Sequence, residues 1–288
     1  MKELILNADD FGLTRGVNEG IVRAFQDGIL TSTTLMANAP AFDHAVQCAR
    51  ANPRLGVGCH LVLAGGPAVA RPQDVASLVD ERGHMPRSLG KFVARVSCGA
   101  IRAEDIDREL RAQIGKIRAA GIEPTHLDTH KHTHAHPRVM EVLAQVAQDL
   151  GITRVRKPAE FLRHSLRVIC GESGASPKQF AAVAVVRLLS ANFDSISRKH
   201  GLRSPGTFLG VAATGQLGPE PLCHLIDALP EGTTEIMLHP GFCDEDLVRT
   251  GSRLQQQRQL ELEGLLAPQV RRAIDHHRIR LISYRELN

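Results

Sequence analysis

Aromatic residues are scarce in this sequence: of its 288 residues nine are Phe, one is Tyr and none is Trp. Proteins that bind single-stranded nucleic acid without sequence preference stack the bases on exposed aromatic side chains, so the composition disfavours that class. The formal net charge is only +4, from 35 Lys and Arg against 31 Asp and Glu. A charge this mild does not require a polyanionic partner. We therefore expect no nucleic-acid partner and at most peripheral contact with a membrane.

Long apolar runs and regularly spaced cysteines are also missing. No stretch reaches the roughly 18 consecutive apolar residues typical of a membrane span. The N-terminal apolar residues lead directly to Asp9 and Asp10, which is unlike the core of a secretory signal. The six cysteines form no CxxC pair and have irregular spacing, a pattern typical of reduced thiols rather than of a zinc finger or a disulfide framework. The sequence therefore predicts a cytoplasmic protein.

Short apolar runs alternate with helical patterns along most of the chain. Strands are predicted at 4–6, 30–36, 55–63, 124–128, 153–156, 235–238 and 279–283. Helices are predicted at about 17–28, 40–51, 106–121, 137–151, 219–229, 252–265 and 268–277. Strands that alternate with helices pair in parallel through right-handed crossovers. Since the first strand is not followed by GxGxxG, the signature of doubly wound nucleotide folds, we predict an α/β fold: a distorted (β/α) TIM-like barrel of mostly parallel strands, with 1–288 as a single domain.

Two stretches interrupt this alternation. Residues 65–100 combine Gly, Pro and mixed charge and are predicted to be a loop insertion. Residues 159–215 are less regular and contain an apolar helical stretch, Phe180–Leu189, beside a surplus of basic residues. One interpretation is a buried helix with a solvated basic flank. The other is a lid that meets the lipid part of a glycolipid at a membrane surface, in which Val183 and Val186 contribute to the lipid-facing side.

Ionisable residues follow the predicted strands, at the end where (β/α) barrels carry their functional groups. They are Asp9 and Asp10, His60, Arg156 and His239. The fourth strand leads into eleven residues that hold five histidines and one aspartate: His126, Asp128, His130, His132, His134 and His136. Adjacent carboxylates are costly to bury unless a cation accompanies them, and a catalytic zinc ion takes about three protein ligands. The pattern predicts a metal site, and it leaves most of the clustered histidines without an assigned role.

Taken one at a time, these residues also have ordinary structural explanations. An acidic loop or a helix cap explains Asp9 and Asp10, and a core position explains His60. A turn explains His239, and a surface ion pair explains Arg156. Their coincidence at successive strand ends is what favours a functional site over these separate explanations.

Four motifs resemble those of the YdjC-like carbohydrate deacetylases. They occur in the same order, between residue 4 and about residue 243: Asn7-Ala-Asp-Asp-Phe-Gly12, Gly58-Cys-His-Leu61, Thr125-His-Leu-Asp-Thr-His130 and Leu238-His-Pro-Gly241. Within that family, the run His130-Lys-His-Thr-His-Ala-His-Pro137 is most similar to the deacetylases of hopanoid biosynthesis (HpnK).

The resemblance implies a distorted (β/α) barrel with one divalent cation, whose ligands would be Asp10, His60 and His130. It implies Asp9 as general base, and His239 as a general acid or substrate-polarising group. Arg156 would be the arginine near the catalytic aspartate. Because imidazole is a borderline-soft ligand, this set suits zinc better than magnesium, although family members are also described with Mg²⁺.

The expected reaction is hydrolysis of an N-acetyl group on a substrate that contains N-acetylglucosamine, with a hopanoid-linked glycolipid as the expected form. A chitooligosaccharide deacetylase of the same family is the alternative. The residues alone also leave open another metal-dependent hydrolase, a lipid- or sugar-binding module and a non-enzymatic protein that binds metal through its histidine run. The expected partner is an N-acetylated sugar or glycolipid, and the oligomeric states left open include a homodimer.

Overall fold

A curled parallel sheet forms the centre of the protein. The structure, a computed structural model, describes residues 1–160 and 177–288, with the side chains of all of these except 177–182. The strands are β1 (Lys2–Phe11), β2 (Ser32–Leu35), β3 (Gly56–Leu61), β4 (Leu127–Thr129), β5 (Thr207–Leu209), β6 (Gly232–Leu238) and β7 (Arg280–Leu281). Their order is β4-β3-β2-β1-β6-β5, and β7 pairs with the first residues of β1.

Isolated parallel bridges connect the two edges of this sheet, on the side of β4 and on the side of β5. Leu127 of β4 bridges to Val155, and Arg154 bridges to Arg203. The strand predicted at 153–156 is therefore reduced to isolated bridges, because the chain leaves the sheet directly after Arg156. The sheet bends round into a distorted barrel of parallel strands, which confirms the predicted α/β fold.

Helices follow most of the strands and cover the outside of the sheet. They are α1 (Arg15–Gln26), α2 (Phe42–Ala51), α3 (Leu89–Ser97), α4 (Ala103–Ala119), α5 (Pro137–Asp149), α6 (Pro177–Leu189), α7 (Phe193–Lys199), α8 (Pro219–Asp227), α9 (Glu245–Arg249), α10 (Gln256–Leu266) and α11 (Pro268–His276). Because helices cover the outside of the sheet, the strands are buried along most of their length; Leu4, Ile5 and Leu6 of β1 are fully buried. In the parts of the chain that are described, no helix is long and apolar enough to cross a membrane.

The insertion predicted as a loop contains a helix, α3. Ser88 caps it by accepting a hydrogen bond from the backbone of residue 91, and Phe92 and Val96 bury its inner face. Its apolar residues Leu89, Phe92, Val93 and Val96 have the i, i+3, i+4, i+7 spacing of a helix, so the sequence did carry a signal for α3 and the loop prediction missed it. The insertion is held to the barrel by Glu109 of α4, whose carboxylate accepts the backbone N–H groups of residues 69 and 70.

The segment predicted at 159–215 as irregular and lid-like contains α6, α7 and the unforeseen strand β5, and its residues 161–176 lie outside the described part of the chain. Val183 and Val186 are buried, with 1% and 8% exposure, so the prediction that they face a lipid was wrong. Among the side chains of α6 that the structure describes, 183–189, the large exposed apolar ones are Val185 and Leu188, at 53% and 77%. A helix that is apolar on nearly every side has no periodicity from which its buried face could be chosen.

The contact between α1 and the loop after β6 predicts a stability effect at Gly20. A Cβ atom at this position would lie 2.5 Å from the Cα atom of Gly241. Gly20→Ala should therefore lower the free energy of unfolding by about 1–3 kcal/mol, as overpacking typically does. Gly115→Ala in α4, where no atom lies within 4 Å of the added Cβ, is the matched control and should be neutral or stabilise by up to about 1 kcal/mol. Urea denaturation measures both, and equal midpoints would contradict the close packing.

Candidate functional site

The two adjacent aspartates lie on one side of the sheet because β1 is bulged. Its register against β2 shifts between Ala8 and Phe11, and Asp10, inside the shift, has a left-handed φ of 67°. Successive side chains of a regular strand point to opposite faces, whereas a bulge redirects a side chain. Both carboxylates are consequently buried near the same imidazole: Asp9 Oδ2 lies 4.0 Å and Asp10 Oδ1 3.6 Å from Nε2 of His60.

A single buried guanidinium group, that of Arg156, binds three carboxylates. It donates hydrogen bonds of 2.7 and 2.8 Å to the two oxygens of Asp9 and one of 2.8 Å from Nε to Glu235. The same group lies 2.6 Å from Oδ2 of Asp128. Burial alone would raise the pKa of Asp9, but the charge of Arg156 outweighs it and holds that pKa below the ordinary value. Asp9 is therefore both ionised and fixed in orientation.

Glu235 and Tyr284 belong to this cluster and were missed in the sequence analysis. Tyr284 donates a 2.5 Å hydrogen bond to Oε2 of Glu235. Burial raises the pKa of Glu235 to about 7, although Arg156 and Tyr284 lower it. Glu235 could have been identified as a glutamate within the apolar strand that precedes His239. Nothing in the sequence marks Tyr284.

Three residues predicted as metal ligands converge on one point. Asp10 Oδ1 lies 3.6 Å from Nε2 of His60 and 3.4 Å from Nδ1 of His130, and the three atoms all lie within 4.8 Å of one another. Two ligands of a tetrahedral zinc ion are about 3.3 Å apart when each bond is about 2.0–2.1 Å. Asp10 Oδ1 is buried and accepts no hydrogen bond from the described residues. A buried carboxylate oxygen in this state is well suited to a cation.

Hydrogen bonds on the side away from the point of convergence orient the converging side chains. His60 Nδ1 lies 2.7 Å from Oδ1 of Asp128, so its Nε2 is directed to the point of convergence. Arg258 donates a 2.5 Å hydrogen bond to Oδ2 of Asp10, which leaves Oδ1 for the same point. Carboxylates that orient ligating histidines in this way are typical of metal sites. Burial alone would lower the pKa of His60. The negative charges of Asp128 and Asp9 raise the pKa by more than burial lowers it, to about 9, so this position attracts positive charge.

The charge of the surrounding buried groups also favours a cation. Of the buried carboxylates among the described residues, five lie in or beside this site, together with two buried guanidinium groups: Asp9, Asp10, Asp128, Glu235 and Glu261 against Arg156 and Arg258. Buried charges are tolerated when they are paired or bind a metal. A divalent ion would remove most of the surplus negative charge, so the donor set and its electrostatics both fit one.

A second group of ligand atoms, from Asp9, His60 and Asp128, also converges. Here the cation is already supplied by the protein, because the guanidinium of Arg156 lies within 2.8 Å of both carboxylates. We therefore assign the candidate metal position to the group that contains Asp10 and His130.

The histidine run does not continue β4 as an extended strand. Directly after β4 the chain turns into a 3₁₀ segment, His130–Ala135, in which Lys131 and His132 have left-handed φ values of 57° and 52°. The period-two alternation of an extended chain ends at this turn. Among the residues described, only His130 of the five histidines joins a convergent ligand group.

The other histidines of the run have structural contacts. The ring of His126 stacks on Tyr284 with centroids 3.6 Å apart. His134 Nε2 lies 3.0 Å from the carbonyl oxygen of Arg156, so it supports the backbone that carries the buried guanidinium. His136 caps α5 through its side chain. His132 lies edge-on to Phe208.

His239 follows β6 at the edge of the site. Its backbone N–H donates a 2.5 Å hydrogen bond to Glu261 of α10. The buried Nδ1 atom has no hydrogen-bond partner among the residues the structure describes. Burial lowers the pKa of His239 to about 4, although Asp10 and Asp9 raise it. The imidazole is therefore neutral at pH 7.

Comparison with known proteins gives consistent matches over the length of the chain. A family model described as YdjC-like protein matches residues 3–276. The carbohydrate deacetylase of Brevibacillus brevis is 36% identical over 286 residues, which cover 99% of each chain. The chitooligosaccharide deacetylase of Yersinia enterocolitica is 33% identical over 285 residues and 98% of each chain. A solved protein of Enterococcus faecalis V583, whose name refers to cellobiose-phosphate cleavage, is 27% identical with a TM-score of 0.80, covering 99% of this chain and 98% of its own.

The raised pKa of Glu235 predicts how stability changes with pH. A carboxyl whose pKa is about 7 when folded and 4.5 ordinarily contributes stability at low pH that is lost as the pH rises through the folded pKa. Glu235→Gln removes this titration. Between pH 5 and 8, wild type should therefore lose on the order of 2 kcal/mol relative to the variant.

Urea denaturation at the two pH values measures this difference. Glu263→Gln, the same change at an exposed position, is the control and should follow wild type. A Glu235→Gln variant that parallels wild type at both pH values would show that Glu235 does not titrate in this range.

Proposed function

We propose that this chain, which belongs to the YdjC-like protein family, is a metal-dependent carbohydrate N-deacetylase. The proposal is supported by the names of its relatives, which are carbohydrate and chitooligosaccharide deacetylases. The structural observation that carries it is the convergence of Asp10, His60 and His130 on one point, beside the carboxylate of Asp9 that Arg156 holds. A cation and a fixed carboxylate are the two groups that metal-assisted amide hydrolysis requires.

One divalent ion held by Asp10, His60 and His130 would supply a more acidic bound water and a Lewis acid for the acetyl carbonyl oxygen. Two imidazoles and one carboxylate favour zinc, with magnesium as the alternative. Three protein ligands leave coordination positions for water and substrate.

Asp9 acts as the general base of this reaction. Its Oδ2 atom borders the convergent ligand group, 4.0 Å from Nε2 of His60. Arg156 holds both carboxylate oxygens, so Asp9 stays ionised and cannot rotate away from the position in which it accepts a proton.

His239 acts as a substrate-polarising group rather than as the resting proton donor. With a pKa of about 4, its imidazolium form is rare at neutral pH. A neutral imidazole still donates one N–H hydrogen bond, which is directed to the acetyl group or to the leaving nitrogen. Of the two roles considered for His239, its burial supports this one.

The substrate class is an N-acetylated sugar, and two forms of it are considered. A chitooligosaccharide would need only polar contacts. A hopanoid-linked glycolipid, the substrate of an HpnK-type enzyme, is favoured by the exposed Val185 and Leu188 of α6, a helix that packs beside His130–Ala135. Exposed apolar side chains next to a site are suited to the lipid part of a ligand. Peripheral membrane contact is proposed only together with the glycolipid substrate. The cytoplasmic location and the homodimer stay predictions.

Acetate release tests the proposed reaction. The metal-loaded chain is assayed on N-acetylglucosamine, diacetylchitobiose and an N-acetylglucosaminyl hopanoid. Asp9→Asn should lower kcat by about 10²–10⁴-fold with unchanged metal content, because it removes the base and leaves the ligands. Asp43→Asn, at an exposed position of α2, should have no effect. Full turnover by Asp9→Asn would rule out Asp9 as the base, and no acetate from any of the substrates would refute the deacetylase.

The lipid candidate predicts a substrate-dependent effect in α6. Replacing Val185 and Leu188 together with Ser should lower kcat/KM for the hopanoid-linked substrate about tenfold, which corresponds to losing one buried apolar contact. Turnover of diacetylchitobiose should not change. Val248→Ser, at a residue with 52% exposure, is the matched control. Equal effects on both substrates, including no effect on either, would contradict the lipid contact.

A further inference from the structure

We infer that Arg258 and Glu261 of α10 are positioning residues that fix Asp10 and His239 relative to each other. The inference rests on the proposed function, since it concerns the same site. Neither residue lies at a strand end. Both therefore escaped the sequence analysis, which searched for functional residues only there.

The two side chains leave α10 on the same side and are buried. Residues three apart on a helix are neighbours on its surface, and Arg258 and Glu261 are 1% and 0% exposed. Glu263, two residues further along, is exposed to solvent. Burying two charged side chains on one helix is expensive unless both have specific partners, so their contacts indicate what they are for.

Arg258 determines which oxygen of Asp10 faces the ligand group. Its NH2 atom donates a 2.5 Å hydrogen bond to Oδ2 of Asp10, and its Nε donates to the carbonyl oxygen of Leu254 in the turn before α10. The guanidinium is thus hydrogen-bonded both to the backbone just before α10 and to the carboxylate of Asp10. Oδ1 of Asp10 is left pointing toward His60 and His130.

Glu261 holds the backbone on the His239 side. Its carboxylate accepts hydrogen bonds of 2.5 Å from the N–H of His239 and 2.6 Å from the N–H of Gly215. A third bond runs from the N–H of Gly241 to the carbonyl oxygen of Arg258, at 3.2 Å. Helix α10 therefore binds both the turn after β6 and the loop after β5.

Asp10 lies in β1, and His239 directly follows the neighbouring strand β6. Helix α10 contacts both residues, Asp10 through Arg258 and His239 through Glu261. Arg258 acts through a carboxylate and Glu261 acts through the main chain, so the two contributions can be separated. Loss of the first should affect metal binding, whereas loss of the second should affect the imidazole and turnover.

The Arg258 arm is tested by metal affinity of the metal-free full chain. Arg258→Met should weaken zinc binding about 10- to 100-fold, the usual cost of removing a partner that orients a ligand, as measured by competition with a chromophoric chelator. Arg258→Lys, which keeps one donor and the charge, should recover most of the affinity. Arg272→Met, at an exposed arginine of α11, should bind zinc like wild type.

The Glu261 arm is tested by the imidazole and by steady-state kinetics. Glu261→Gln replaces one acceptor oxygen with a donor, so one of the two N–H bonds must be lost. The ring nitrogen resonances of His239 should shift in a long-range ¹H–¹⁵N spectrum. In addition, kcat should fall about 10- to 100-fold through misplacement of the imidazole, with KM and zinc affinity unchanged. Glu263→Gln should match wild type in all three measurements.

Wild-type zinc affinity in Arg258→Met, or unmoved His239 resonances in Glu261→Gln, would overturn the corresponding half of the inference. Parallel losses of zinc affinity, turnover and melting temperature in both variants would reduce the two residues to general structural ones. If the wild-type chain releases no acetate, the proposed function fails, but the affinity and resonance measurements still decide whether the two residues position Asp10 and His239.

Discussion

The guanidinium group of Arg156 is the interaction on which the rest of the site depends. It is buried and binds Asp9 of β1 and Glu235 of the neighbouring strand β6. It also binds Asp128 of β4, the strand at one edge of the sheet. Removing one partner of a buried ion pair costs about 3–5 kcal/mol, because the remaining charge is left without compensation. Here the loss of Arg156 would remove the guanidinium partner of three buried carboxylates at once. The same contact keeps Asp9 ionised, and through Asp128 it fixes the orientation of His60.

The division of charge around Arg156 explains why a cation is needed next to it. One guanidinium group cannot neutralise three carboxylates. Burial raises the pKa of Glu235 to about 7, and the charge of Asp9 adds to this rise, although Arg156 lowers it. Asp10 lies outside the reach of Arg156 and is held by Arg258 on one oxygen only. The other oxygen lies 3.6 Å from Nε2 of His60 and 3.4 Å from Nδ1 of His130 and forms no hydrogen bond within the described residues. The protein thus supplies its own cation on one side of His60 and leaves a place for a metal ion on the other.

The sequence was sufficient for the fold class and for a group of ionisable residues at the strand ends, because the carboxyl ends of parallel strands meet at one edge of a barrel. The choice of Asp10, His60 and His130 as ligands came from the resemblance to the YdjC-like deacetylases. It was not sufficient for features set by tertiary contacts. The left-handed backbone at Asp10 depends on a register shift between β1 and β2, and no local pattern marks it. Arg258 lies on a helix more than two hundred residues from its partner. A charged residue on a helix is normally interpreted as solvated. Since α10 has no clear apolar stripe, its buried face cannot be deduced from periodicity.

The position of the metal is the central claim, and anomalous diffraction at the zinc absorption edge tests it most directly. Crystals grown from the zinc-loaded chain should show one strong peak, with Asp10 Oδ1, His60 Nε2 and His130 Nδ1 each about 2.0–2.2 Å away. The guanidinium of Arg156 should remain between Asp9 and Asp128. A peak bound by Asp9 and Asp128, a peak on the later histidines of the run, or no peak at full zinc loading would contradict the account.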